Sequence, residues 1–466
     1  VAGAAAIAFG AVISPCLVRQ LGPSTFPAYL SVTPDWRLVG FMTCAGAVAT
    51  IFFGVIPALG ASAVNPYEAL KSSSGHTGRA GALRPFLPVQ VAFSFMVLFL
   101  SGLLLVSFAK LIHVDLGFAK ENVILFTLDA TGVKPAMRGA LQANLIDHLS
   151  HIPGVRAASL SQQGPIGGAF AFIGTPFIRF PGRGTETLRP RHIPVSPGFF
   201  AAMQIPLLSG REFNRLDGDA EKTSAAIVNQ AFAVHFFPGR SALGQHFEQT
   251  GDGNPIPREV VGVVANSLFN NLREPVTPTL YSPLQTLQNA ALEVRTQTDP
   301  APLSGLLRRE IESVDPSLKV RSAILQATRI DDTLIGERLL AWIAGFFGVA
   351  ATVLVAVGLH GVVSYFVVRR TKDIGIRMAL GAERAAVVRL IVLEVAALIG
   401  LGIAAGAIAG FALSRYAASL LFGVKPAEFG SLAAPLVVLL LACVVAALRP
   451  ALRATRIDPV VALRCE

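Results

Sequence analysis

Few residues in this 466-residue chain stand in an arrangement that chemistry could use. "GRSALGQH", Gly239 to His246, has the two-glycine spacing of a phosphate loop but lacks the Lys-Ser/Thr that would meet phosphate and magnesium. It reads as a turn between a helix and a strand. "HLSHI" sets His148 and His151 three apart on a helix, half of a metal site, with no further His, Cys or paired carboxylate beside it in sequence. A solvated helix end is the expectation there. Neither a His-Glu-x-x-His nor a Gly-x-Ser-x-Gly occurs. Cys16, Cys44, Cys443 and Cys465 have neither zinc spacing nor the pattern of a disulfide framework. No stretch joins dense Lys/Arg to stacking aromatics, so nucleic acid is not an expected partner. No catalytic, cofactor-binding or metal-ligating residue is assigned.

Chemistry of another kind is suggested by "TKDIGIRMALGA". On a helix, Ile374 and Met378 share a face while Arg377 and Arg384 point elsewhere. Gly375 and Gly381, the latter followed by Ala382, permit a close backbone approach or a helix end. This suits a short amphipathic helix that docks on another protein; the plainer alternative is a basic loop that only fixes topology. Three ionisable residues fall within or beside apolar runs. His360 is expected to be neutral and bonded to a neighbouring helix rather than to relay protons. Arg415 is expected to reach the membrane surface. Glu394 has Arg384 or Arg389 within reach as a partner.

The elements that position these residues are apolar. Hydrophobic residues make up 53% of the chain and charged residues 15%, a pairing that points to a membrane protein. About six runs can span a bilayer, which takes about 20 residues each: 1–18, 38–59, 86–108, 339–368, 390–413 and 432–448. Bases gather in three connecting segments: Lys71, Arg79 and Arg84; Arg369, Arg370, Lys372, Arg377, Arg384 and Arg389; Arg449, Arg453, Arg456 and Arg464. With six spans all three fall on one side, and the positive-inside rule makes that side cytoplasmic. Residues 109–337 then face outward. The fourth run, about 45 Å long as a helix, exceeds the roughly 30 Å hydrocarbon core and is expected to continue outward as a rigid stalk.

The outward segment reads as an α+β domain. "NVILFTLDA" alternates Ile124, Phe126 and Leu128 as a strand does, while Leu141, Leu145 and Leu149 fall four apart as on a helix. "REVVGVVANS" and "ALEVRTQ" predict further strands and "APLSGLLRREIESV" a helix. "SPGFF", "FPGRS" and "GDGNP" mark turns.

The chain also repeats itself. "IPALGASAVNPYEALK" after the second run is echoed by "RPALRATRIDPVVALR" after the sixth, with nine residues from Pro57 to Pro66 and from Pro450 to Pro459. Runs one and two therefore read as the second half of a membrane module whose complete copy follows. The chain starts at Val1 within an apolar run, which reads as a fragment or truncated gene model rather than a signal peptide. The expected layout is a half module at 1–71, a cytoplasmic linker at 72–85, a transmembrane helix at 86–108, an outer domain at 109–337 and three further helices with a cytoplasmic tail at 338–466.

Several of these stretches resemble the FtsX/MacB superfamily of ABC-transporter permeases. "RRTKDIGIRMALGAERAAVVRLIVLE" is similar to its Ile-Gly-Ile-Arg-x-Ala-Leu-Gly-Ala signature, and "ALRATRIDPVVALR" to its ending. "VSPGFFAAMQIPLLSGREF", "AIVNQAFAVHFFPG" and "REVVGVVANSLFNNLREPVTPTLYSPL" resemble the MacB-type periplasmic core domain. The duplicated layout resembles the duplicated orphan permeases. The resemblance implies an α-helical transmembrane protein of about six spans with an α+β MacB-type extracytoplasmic domain, multi-pass in a bacterial inner membrane. It implies a permease that passes ATPase-driven motion to its periplasmic domain for export or extraction, without cofactors and with ATP hydrolysis on a separate ABC ATPase subunit. Ile374, Gly375, Arg377, Met378, Gly381 and Ala382 would then be the ATPase-coupling segment. A periplasmic or outer-membrane partner is a further expectation. The alternative within the same family is a signalling protein that controls a periplasmic partner without moving a substrate.

Overall fold

The computed structural model describes residues 86–369 and 384–454, apart from 167–174, 181–183, 218–223, 251–254, 286, 288 and 289, together with residues 40 and 44. The first two apolar runs, the linker at 72–85 and the tail from residue 455 thus lie outside the described residues, except for Gly40 and Cys44, which are helical. The rest falls into two compact units. One joins the residues up to Ile112 to those from Gly336 on; the other is His113–Ile335.

Among the described residues the first long helix, α1, spans Phe86–Ile112. It continues past Phe108, where the apolar run ends, because backbone bonding does not stop at the hydrocarbon boundary. The outer unit then builds one 12-stranded mixed sheet. In chain order the strands are β1 Val123–Asp129, β2 Val155–Ser161, β3 Phe177–Phe180, β4 Gly184–Thr185, β5 Arg191–Val195, β6 Leu207–Gly210, β7 Ser224–Asn229, β8 His246–Thr250, β9 Ile256–Val264, β10 Thr279–Pro283, β11 Ala291–Thr296 and β12 Lys319–Leu325. Among the described residues five α-helices accompany them: α2 Arg138–Ser150, α3 Phe199–Met203, α4 Gln230–Phe236, α5 Ser304–Val314 and α6 Gln326–Thr333. The spatial order is β12-β1-β11-β2-β5-β10-β7-β9-β8-β3-β4, with β6 paired to β9.

The sheet carries two separate cores. Leu141, Leu145 and Leu149 of α2 and Leu307 and Ile311 of α5 pack on Ile124, Phe126 and Leu128 of β1 and on β2, β11 and β12. The second core sets Phe232 and Phe236 of α4 among Phe180, Phe237 and Phe247. Between them β2 and β5 share a single register pair, Ser161 with Val195. The unit therefore has two lobes along one sheet. The alternation in β1 predicts one buried face, yet Leu125 is buried as well. Its other face is covered by the loop at Gly164, where a Cβ would stand 3.5 Å from the Leu125 side chain.

Three long helices follow: α7 Ile335–Arg369, α8 Arg384–Ser414 and α9 Phe429–Ala454. With α1 they are, among the described residues, four helices long and apolar enough to cross a membrane, over Leu87–Ile112, Ile335–Ser364, Val392–Ser414 and Gly430–Arg449. The α1 helix is the most enclosed of them. Leu87, Val91, Phe95 and Phe99 of α1 meet Val355, Leu359 and Val363 of α7, Val395 and Ile399 of α8, and Leu439 and Cys443 of α9.

Candidate functional site

The predicted coupling segment, Ile374, Gly375, Arg377, Met378, Gly381 and Ala382, lies outside the described residues. Its brackets are described: α7 ends at Arg369 and α8 begins at Arg384. What the structure details is how the helices that would carry motion away from this segment are tied together.

Pro450 sits inside α9 rather than after it. A proline has no N–H, so the carbonyl four residues earlier, on Ala446, loses its usual helical donor. His360 of α7 supplies one: its Nδ1 lies 3.2 Å from the Ala446 oxygen. As the carbonyl can only accept, Nδ1 carries the hydrogen, and the imidazole serves as a helix-to-helix tie. This is the role expected for His360 from sequence. The sixth apolar run ends at residue 448, whereas α9 runs on to Ala454.

The α1 helix is tied to α7 as well. Gln90 Nε2 donates to the Leu354 carbonyl at 2.8 Å, and Gly358 leaves room for the amide, which a Cβ there would strike. Against α8 the fit is backbone to backbone. Gly402, Gly406 and Gly410 fall four apart on one face. A Cβ at Gly402 would come within 2.7 Å of Val91, one at Gly406 would strike the Ala92 carbonyl, and one at Gly410 would come within 2.8 Å of the Phe99 ring. Small residues at this spacing let membrane helices approach closely. Their regular interval stands in the sequence itself.

At its other end α1 clasps the loop between α8 and α9. Lys110 Nζ donates to the Gly423 carbonyl at 2.5 Å, and the Phe422 N–H donates to Ser107 Oγ at 2.8 Å. Arg415 is exposed, with its guanidinium 5.8 Å from the Phe411 ring centre. Glu394 is half-buried in α8.

Within the outer unit the residues singled out for chemistry take up structural roles. The segment from Gly239 to His246 joins α4 to β8, with Gly239 and Gly244 at φ +71° and +75°. His148 Nε2 lies 2.8 Å from Glu310 Oε2 of α5, a carboxylate that sequence proximity could not show. His151 Nδ1 bonds the Asp147 carbonyl at 2.7 Å. Arg295 of β11 is a clasp that sequence reasoning missed. Buried, it donates from Nη1 to the Glu121 carbonyl and from Nη2 to that of Ala119, each at 3.0 Å, and from Nε to Ala202 at the end of α3. One side chain thus fastens the segment entering the unit to the central sheet.

Comparison with known proteins matches these parts to one family. Residues 91–310 match the model of the MacB-like periplasmic core domain, and residues 345–459 that of the FtsX-like permease C-terminal domain. The uncharacterised ABC transporter permease YvrN of Bacillus subtilis (strain 168) is 24% identical over 313 residues, covering 60% of this chain and 72% of that protein. The macrolide export ATP-binding/permease protein MacB of Azoarcus sp. (strain BH72) is 27% identical over 283 residues, covering 56% of this chain and 40% of that protein. The chain thus spans about two fifths of that MacB relative's length. The periplasmic region of MacB from Actinobacillus actinomycetemcomitans aligns with 47% of this chain and 95% of its own at 14% identity, with a TM-score of 0.32. With one model on the outer domain and the other on the helices that follow it, the chain belongs to the FtsX/MacB-like family of ABC-transporter permeases.

Proposed function

We propose that this chain is the permease subunit of an ABC-type transporter, multi-pass in a bacterial inner membrane, that passes motion from a separate ATPase to its extracytoplasmic domain for export or extraction of a substrate. The observation that carries the reading is the tying of the four helices. Gln90 binds α1 to α7, His360 binds α7 to α9, and the glycine series presses α8 on α1. A group so tied moves together. The length of α7 supports the same reading: 35 continuous residues make about 52 Å of helix, well beyond the roughly 30 Å of hydrocarbon. A displacement at its cytoplasmic end is delivered beyond the membrane without a joint in the helix.

The ATPase meets the loop between α7 and α8, with Ile374 and Met378 as the apolar contact and Gly375, Arg377, Gly381 and Ala382 around them. Replacing Ile374 and Met378 together by Asp tests this. An unpaired carboxylate in an apolar contact costs several kcal/mol, enough to abolish a transient interface. The neighbouring bases still hold the loop inside, so the variant is expected to reach the membrane at normal levels but to lose co-purification with its ATPase. Arg377→Ala is expected to do less, about 1 kcal/mol or under, as rim charges do. Full ATPase association in the double variant would reduce the segment to a topogenic loop.

A further inference from the structure

Three arginines are buried among the described residues, and two of them have their charge or donors answered. Arg191 forms a bidentate pair with Glu274 at 3.1 and 2.8 Å. Arg295 gives its donors to three backbone carbonyls. The third, Arg258, is 5% exposed. Its Nε donates to Gln249 Oε1 at 3.0 Å and its Nη1 to Ser224 Oγ. Both acceptors are neutral, and among the described residues no carboxylate pairs with it. A guanidinium has five N–H donors and stays charged at any physiological pH. A cation taken out of water without a counter-charge is costly unless something answers it. Arg258 therefore sits in a place prepared for a negative group.

The surroundings are built from strands that are far apart in the sheet. His192 belongs to β5 and Gln249 to β8, with β10, β7 and β9 between them. In a flat sheet that separation would be about 19 Å. Yet Gln249 Nε2 stands 3.5 Å from His192 Nδ1, so the second lobe curls on itself and brings these side chains together. His192 Nε2 lies 2.8 Å from Ser282 Oγ of β10. Burial, with the charge of Arg258 added, pushes His192 down to about 4. The ring is neutral at pH 7, which leaves Arg258 as the one formal charge of the cluster.

We propose that Arg258, with Ser224, Gln249, His192 and Ser282 around it, forms a binding site in the outer unit for the carboxylate of a small organic acid. The proposal goes beyond the transmission role and does not rest on it. One guanidinium balances one negative charge, which fits a carboxylate and leaves a phosphate dianion with charge to spare. The planar fork of the guanidinium matches the two carboxylate oxygens. The burial of Arg258 limits the guest to a small molecule.

Calorimetric titration of the full chain in detergent tests this, at constant ionic strength, with sodium acetate and benzoate, the amides of both acids, and inorganic phosphate. Saturable binding of the carboxylates is expected, with none of the amides and weaker binding of phosphate. Arg258→Met should weaken it at least tenfold, and Arg189→Met, at an exposed position, should leave it unchanged. Should Arg258→Met fail to fold, Gln249→Glu decides the matter. It places a carboxylate on the guanidinium from within, so it should raise the melting temperature and abolish acetate binding. The proposal is overturned by the absence of saturable carboxylate binding, by equal binding of the amides, by tighter binding of phosphate, or by unchanged binding in Gln249→Glu.

Discussion

Glu293 shows how far a single side chain can depart from its ordinary behaviour in this protein. It is fully buried in β11, where Ser159 and Ser161 hydroxyls donate to it at 3.1 and 2.5 Å. Burial pushes its carboxyl up to about 8, against the pull of those hydroxyls and the charge of Arg329. A group raised in the folded state stabilises fully below its unfolded value, and that contribution fades as pH climbs to the folded one. The stability of the outer unit is therefore expected to fall between about pH 4.5 and 8, by on the order of 3–5 kcal/mol. Glu293→Gln should remove most of this slope and melt higher than wild type at pH 8, as measured by scanning calorimetry across that range. An unchanged slope would show that the carboxyl is not held neutral. Nothing in "ALEVRTQ" announces such a residue, because the burial comes from β1 and β2 on either side, both distant in sequence. His360 is the opposite case. Its position in an apolar run and the proline at 450 were both legible, and only the pairing of the two needed the fold.

At the scale of the element, periodicity carried most of the information. The strand over Val123–Asp129, the helix with Leu141, Leu145 and Leu149 buried, and the strands and helix near residues 260, 293 and 308 all stand where the spacing of apolar residues puts them. Strands such as β2, "VRAASLS", and β7, "SAAIVN", were missed. Both are rich in alanine and serine and mostly buried along their length, so no polar-apolar alternation marks them. The glycine series of α8 makes a sharper claim about packing. Gly406→Ala places a methyl against the Ala92 carbonyl of α1, and the helices must part to admit it. A loss of about 1–3 kcal/mol is expected. Gly361→Ala in α7, where a Cβ meets nothing within 4 Å, should be neutral or slightly stabilising. Thermal unfolding of both variants in the same detergent separates them, and equal melting temperatures would contradict close packing of α1 on α8.

For the whole molecule, the alternation of basic and non-basic segments around apolar runs predicts a membrane protein with an extracytoplasmic domain, and the family match supports the outer domain and the helices after it. The two-lobed sheet was less legible. Its order interleaves early and late strands, with β1 between β11 and β12, and such pairing depends on contacts more than 150 residues apart that no local pattern records. The proposed coupling loop is a different matter: its motif is plain in the sequence, while the action proposed for it belongs to an assembly with an ATPase. The central claim is that motion started at this loop reaches the outer domain. Spin labels at Ser313 in the first lobe and Arg240 in the second, with the chain and its ATPase reconstituted in nanodiscs, allow the distance between the lobes to be read by pulsed electron resonance. The account predicts a distance distribution that shifts when ATP is added and does not shift in the Ile374→Asp/Met378→Asp variant. A distribution indifferent to ATP in the wild-type assembly, or an equal shift in the variant, would contradict it.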